Sequence, residues 1–252
     1  MMEFFSNWLL KIQLWFADIR GDFIQSFIEK DRWKLMVKGL GVTLQITILA
    51  LIIGVVLGVV VAIIRSSYDQ MQVKPAGPGG FLLRLMNFLC KVYLTVIRGT
   101  PVMVQLLIMF FVIMVSTKNT TLVAVLTFGI NSGAYVAEIV RGGIMSIDAG
   151  QMEAGRSLGF GYVGTMWYII IPQAFRNILP SLGNELITLL KETSIVTVIG
   201  AKDLTKGAMN IQGATYQAFM PLIAAAAIYL MVVMLLSWLL GKLERRLRNS
   251  ER

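Results

Sequence analysis

The sequence predicts an all-α integral membrane protein with about five transmembrane helices, a polar helical segment among them and an amphipathic helix in front. Three observations carry this prediction. Of 252 residues 56% are hydrophobic and the mean hydropathy is +0.72, far above what one soluble core of this length needs. Several uncharged runs reach the length of a bilayer span. Between the later runs lies AGQMEAGRSLGFGYVGTMWYIIIPQAF, residues 149 to 175, which is helical in pattern yet punctuated by glycine and poorly suited to crossing a membrane.

Composition narrows the function classes. There is no histidine and one cysteine, Cys90, so an internal disulfide, a multi-cysteine metal site and the commonest general base are all excluded. The formal charge of +9 is read as flanks facing an anionic cytoplasmic leaflet rather than as a nucleic-acid surface. Glu3, Lys11, Asp18 and Arg20 break up any apolar core near the start, so no cleavable signal peptide is expected.

Residues 1–38 form an N-terminal segment in which Phe5, Leu9, Ile12, Phe16, Ile19, Phe23 and Phe27 recur by threes and fours. That spacing predicts an amphipathic helix. With Trp8 and Trp15 nearby, it suits both the membrane interface and packing across the spans. The transmembrane body runs from 39 to 241. Its first span is Gly39 to Ile64, 26 uncharged residues, about 39 Å as a helix. VKPAGPGG (73 to 80) reads as a turn-rich connector. Gly99 to Thr117 and Asn119 to Ala137 read as two spans joined by a short turn. Ile178 to Ile199 is apolar enough to cross but carries Glu185, Lys191 and Glu192, which must face protein or water. The last span covers about Phe219 to Leu240, and residues 242–252 form a basic tail.

The opening stretch belongs to a loop at 142–177. Its charge-free part, Ser157 to Phe175, holds Gly159, Gly161, Gly164 and Pro172, each unfavourable inside a spanning helix. A helix capped by Asp148 and stopped at Gly159, then a second after Thr165, fits better. The distribution of Lys and Arg does not separate five spans from six. The glycines favour five.

Here the residues resemble a family. Glu153, Ala154, Gly155, Gly159, Ile169 and Pro172 sit at the spacing of the EAA signature of the membrane subunits of ATP-binding-cassette importers. IRGTPVMVQL (97 to 106), SGAYVAEIVRGGI (132 to 144), GQMEAGRSLG (150 to 159) and LLKETSIVTVIG (189 to 200) resemble the polar amino acid permease branch, over roughly residues 34 to 240. Gly155 stands where the signature has its second alanine, and Ile171 where it has leucine. The resemblance implies short cytoplasmic coupling helices that fit a cleft on a separate ATPase. Gly150, Gln151, Glu153, Ala154, Gly155, Gly159, Ile169 and Pro172 are then the coupling residues. Ala154 and Gly155 let a partner backbone approach, Glu153 offers a carboxylate and Gly159 permits the elbow. The alternative role of Glu153 is a solvated pair with Arg156.

No GxxxxGK[ST] occurs, so ATP and magnesium belong to the partner ATPase and the chain holds no cofactor or metal of its own. The expected function is the permease subunit of an importer in a prokaryotic cytoplasmic membrane, C-terminus inside. It would work with a second copy or a related permease, membrane lipid around it, and an external binding protein that delivers a polar amino acid. Lys191, Glu192, Thr193 and Ser194 are the candidate substrate path, with an equally open alternative in which Lys191 pairs with Glu185 or Glu192. The Gly99, Thr100, Pro101 triplet reads as a helix break near the membrane surface. Two other classes compete: an intramembrane enzyme using Glu138, Lys191 or Glu192 as acid and base, and a passive channel. The first lacks a recognisable nucleophile and base pair, and the second has no use for a coupling elbow.

Overall fold

The computed structural model describes residues 18–70 and 77–249, and everything described is helical or connects helices. Phe5, Leu9, Ile12 and Phe16 of the expected amphipathic helix, with both of its tryptophans, lie outside the described residues. Its last part, residues 18–28, is helical. There Phe27 is buried beside Met36, Leu204 and Ile211, and the Gln217 amide donates to Asp22 at 2.8 Å. This end therefore packs on the protein.

Nine helices follow among the described residues. α1 is Trp33–Gln70, α2 Gly77–Gly99, α3 Val102–Ile108, α4 Thr120–Met145 and α5 Ala149–Ser157. α6 is Tyr162–Thr165, α7 Ile171–Glu192, α8 Leu204–Thr215 and α9 Phe219–Asn249. Four of them, α1, α2, α4 and α9, are long and apolar enough to cross a membrane. α7 is the charged fifth.

α4 is the axis of the fold, with fourteen of its 26 residues buried. Asn119 starts it by accepting a hydrogen bond from the Leu122 N–H at 3.0 Å, in the turn expected there. α1 lies against it at a distance set by small residues. A Cβ on Gly54 would stand 2.9 Å from Ser132 Oγ, and one on Gly58 2.7 Å from Val136. Ile46, Leu106, Val123, Phe128, Leu189 and Val196 fill one end of the core, and Val136, Val140, Ala174 and Ile178 the other. α9 keeps a broad apolar face exposed, including Leu230, Met234 and Trp238, as a membrane helix does.

The structure corrects the second span. Residues 99–117 are not one helix. The membrane-length helix is α2, which ends at Gly99, and α3 with its widened continuation to Ile113 follows a break at Thr100 and Pro101. A search for uncharged runs misses α2 because Arg84 and Lys91 interrupt it. They lie seven residues apart and stay exposed beside the buried stripe of Gly80, Asn87, Cys90 and Leu94. Gly77 to Gly80, read as connector, are the first turn of this helix. The fifth span is also shifted: α7 starts at Ile171 and ends at Glu192, and Thr193–Ile199 continue as a tighter 3₁₀ turn closed by Gly200.

Candidate functional site

The loop between α4 and α7 is an elbow held by local chemistry. The Asp148 carboxylate accepts from the Gly150 N–H at 2.7 Å and so caps α5. At the other end the Gly159 N–H donates to the Arg156 carbonyl and the Phe160 N–H to the Gly155 carbonyl, at 3.0 and 3.1 Å. This is a Schellman closure, and it requires the left-handed backbone that Gly159 adopts, φ +88°. The chain then enters α6 and passes through a widened turn, Met166–Ile170, straight into α7. The helical stretch expected after Thr165 thus begins earlier, at Tyr162, and runs on through it. Pro172 has no N–H to continue the ladder that runs from the widened turn into α7, so the widened turn stands where that bond is missing.

Gly155 has a different role from the expected one. It is buried inside the elbow, where a Cβ would lie 2.5 Å from Thr165 Cγ2 and 3.0 Å from Ile169 Cδ1. Its smallness closes α5 on α6 within this chain, so it presents no surface to a partner backbone. Gly150, Gln151, Glu153 and Ala154 are exposed, and among the described residues Glu153 and Arg156 make no ion pair. Leu158, Val163, Trp167 and Tyr168 are more than 60% exposed on the same elbow, an apolar patch of the kind that meets another surface. Beside it Met145, Met152, Arg156, Tyr162 and Met166 line a cleft of about 500 Å³. Two hydrogen bonds tie the elbow to α7. Gln173 donates to Gln151 at 3.3 Å, and Asn177 donates to Ser146 at 2.8 Å.

Inside the helical body a polar seam crosses the fold. Pro101 has no N–H for the Ile97 carbonyl, and the Gln105 amide takes its place at 2.7 Å. The same amide reaches the Thr100 carbonyl and hydroxyl at 3.1 and 2.8 Å, and its oxygen accepts from Asn131 at 2.9 Å. Arg98 lies 3.7 Å from Glu138 and over the ring of Tyr135, while Arg141 donates to Glu138 at 3.0 Å. Tyr93 donates to the Ile130 carbonyl, and Ser132 donates to Glu185 at 2.7 Å. The break sits beside Asn131 to Glu138, in the middle part of α4.

Sequence reasoning missed this seam. Gln105 and Asn131 are uncharged and vanish into apolar runs, although both stand in or beside the blocks that carry the family resemblance. Of the expected substrate-path residues, Lys191 is exposed and Glu192 and Ser194 are half-buried near the end of α7. Within the chain, Lys191 makes no ion pair among the described residues. Thr193 is fully buried and donates to the Leu190 carbonyl at 2.7 Å. Its hydroxyl closes the helix end and is not free for a ligand. Cys90 is buried among Val61, Leu94 and Ala134.

Residues 80–249 match the family described as the inner membrane component of binding-protein-dependent transport systems. The chain is 40% identical over 187 residues to the arginine transport system permease protein ArtQ of Bacillus subtilis, covering 68% of this chain and 85% of that one. It is 39% identical over 168 residues to the glutamine transport system permease protein GlnP of Escherichia coli, covering 65% and 77%. A crystal structure of an amino acid ABC transporter with histidines superposes with a TM-score of 0.77 at 41% identity, over 87% of this chain and 98% of that one. The methionine transporter MetNI shares the fold, TM-score 0.73, at 18% identity. A multi-pass helical body of the inner, cytoplasmic membrane whose sequence has no nucleotide cradle agrees with these likenesses: the chain belongs to the family of binding-protein-dependent transport system inner membrane components, as the permease subunit of an ATP-binding-cassette importer whose ATP is hydrolysed by a separate subunit.

Proposed function

We propose that this permease carries a polar amino acid of the glutamine or arginine type into the cell by alternating access, with its C-terminus in the cytoplasm. The elbow docks into a cleft on the cassette ATPase through Gly150, Gln151, Glu153 and Ala154. Gly155, Gly159, Ile169 and Pro172 hold the elbow's shape. A second copy or a related permease completes the path, an extracytoplasmic binding protein supplies substrate, and Lys191, Glu192 and Ser194 border the route. The observation that carries this reading is the elbow: a capped, Schellman-closed helix, bonded to α7 and exposing a carboxylate beside an alanine. A rigid element in that position transmits a partner's movement to the spans; a flexible loop would absorb it.

The test is reconstitution with the ATPase and binding protein, measuring ATP-driven uptake of glutamine and arginine into vesicles. Glu153→Lys is expected to lose both ATPase capture and uptake while still inserting in the membrane. Normal uptake by that variant would sink the docking assignment. Uptake of neither amino acid, nor of any other polar one, by the unaltered complex would sink the substrate class.

A further inference from the structure

Toward its end α9 changes character along one face. Leu230, Met231 and Met234 are exposed there, and past them Ser237, Trp238, Gly241, Lys242 and Arg245 line a cleft of about 210 Å³. At about 100° per residue the cleft is centred roughly 130° round the helix from Leu240, the side chain that packs onto Gly183 of α7. It therefore looks away from the helical body. Its floor is Gly241, where a Cβ would meet nothing within 4 Å, so that any side chain there would occupy the notch. Lys242 Nζ lies 3.7 Å from the centre of the Trp238 ring, which holds the ammonium beside the cleft without neutralising it. Neither Lys242 nor Arg245 makes an ion pair among the described residues. Glu244, the only acid of α9, stands about 90° round the helix from the centre of the cleft.

Packing fixes the height of this cleft. α9 starts beside α8, where the Tyr229 and Thr205 hydroxyls are 3.3 Å apart, and at Leu240 it has reached Gly183 in the middle of α7. It thus runs back along α7 toward the elbow. Lys242 and Arg245 follow directly on the apolar run from Phe219 to Leu240, which puts them where hydrocarbon gives way to headgroups on the elbow side of the membrane. A tryptophan with lysine and arginine just beyond it suits that depth.

We infer that this face of α9 binds one anionic phospholipid of the leaflet on the elbow side, its phosphate in the notch over Gly241 between Lys242 and Arg245 and an acyl chain along Met234, Met231 and Leu230. The guanidinium offers a fork of donors to phosphate oxygens and the ammonium a point charge. The exposed Ser237 hydroxyl adds a donor one turn earlier. Apolar groove, aromatic and paired cations follow one another on the helix in the order acyl chain, interface and phosphate follow in a lipid. A dissolved phosphate would use only the last of these. The site is independent of which substrate the permease carries.

The test uses the full-length chain in phosphatidylcholine vesicles doped, at equal mole fraction, with phosphatidylglycerol or phosphatidylcholine brominated near the carbonyl end of an acyl chain. Bromine quenches tryptophan on contact, and the Trp238 signal is the difference between the unaltered chain and Trp238→Phe. Brominated phosphatidylglycerol should quench Trp238 with an apparent affinity about 25-fold above that of brominated phosphatidylcholine, at about fivefold for each basic side chain near the surface. Lys242→Gln and Arg245→Gln should each remove about fivefold of this preference. Gly241→Leu changes no charge and should abolish most of it by filling the notch. Inorganic phosphate should not compete. Equal quenching by the two lipids would overturn the inference, as would Gly241→Leu with its preference intact, which would show attraction to a basic surface without a site. Displacement by inorganic phosphate would overturn it in favour of a plain anion site, and absence of quenching by either lipid would show the face covered by a second copy of the chain.

Discussion

Replacing Gly155 by alanine restores the residue that the EAA signature has at this position, and the structure predicts that the restoration is harmful here. The added Cβ would lie 2.5 Å from Thr165 Cγ2, 2.8 Å from Thr165 Oγ1 and 3.0 Å from Ile169 Cδ1. Thr165 has no room to retreat, being fully buried with its hydroxyl turned onto the Gly161 carbonyl at 3.2 Å. Overpacking of this kind costs about 1–3 kcal/mol. Spread over the equilibrium between a closed and a sprung elbow, that is roughly five- to 150-fold. The assay is amino acid uptake and ATPase stimulation in the reconstituted complex, with membrane insertion measured alongside. Gly155→Ala should insert normally, bind the ATPase weakly and lose most uptake. Adding Thr165→Ser removes Cγ2, the nearest clash, and keeps the hydroxyl, so the double variant should recover much of the loss. If Gly155→Ala alone transports at the wild-type rate, the claim that Gly155 is needed for internal closure is wrong.

Three further predictions concern the body of the protein. Gln105→Leu strands the Ile97 carbonyl and the buried Asn131 amide, and should lower resistance to denaturing detergent by about 1–3 kcal/mol. An unchanged unfolding midpoint would show that Gln105 does not bolt the break to α4. Gly58→Ala sets a methyl 2.7 Å from the Val136 Cβ and 2.8 Å from the Ala137 backbone nitrogen and should push α1 off α4. Protease resistance of the inserted protein reads this directly, and resistance equal to that of the unaltered protein would refute it. Cys90→Ala should transport at close to the wild-type rate, because the thiol is buried among apolar side chains and has no polar task; a large loss of uptake by well-inserted protein would reveal one.

Much of this architecture was legible in the residues because the bilayer imposes a length and a charge rule. α1, α4 and α9 announce themselves as uncharged runs, and Asp148 and Gly159 mark the ends of α5 by cap chemistry that operates locally. α2 was not legible by the same rule. Its Arg84 and Lys91 sit beside the buried stripe and stay exposed, which run-counting cannot distinguish from charges that end a span. Gly155 shows a different limit. The sequence says the position is small, but only the fold says which neighbour needs the space, and Thr165 lies ten residues on across a turn. The polar seam depends on pairs such as Gln105 with Asn131 and Ser132 with Glu185, 26 and 53 residues apart, whose meeting is a property of helix packing.

α4 and α7 are joined at two heights, by Asn177 to Ser146 at the elbow and by Ser132 to Glu185 inside the body. Two attachment points remove the freedom of one helix to roll against the other, so the pair behaves as a single beam. The attachments are 14 residues apart along α4 and its end, about 21 Å at 1.5 Å per residue. A beam of that length turned by roughly 10° at its outer end displaces its inner end by about 4 Å, using the helical rise alone to set the arm. That is close to the thickness of an aliphatic chain. On the docking proposed above, a modest swing of the ATPase surface is carried along this beam toward its inner end, and the stiffness of two hydrogen bonds sets how much of the stroke arrives.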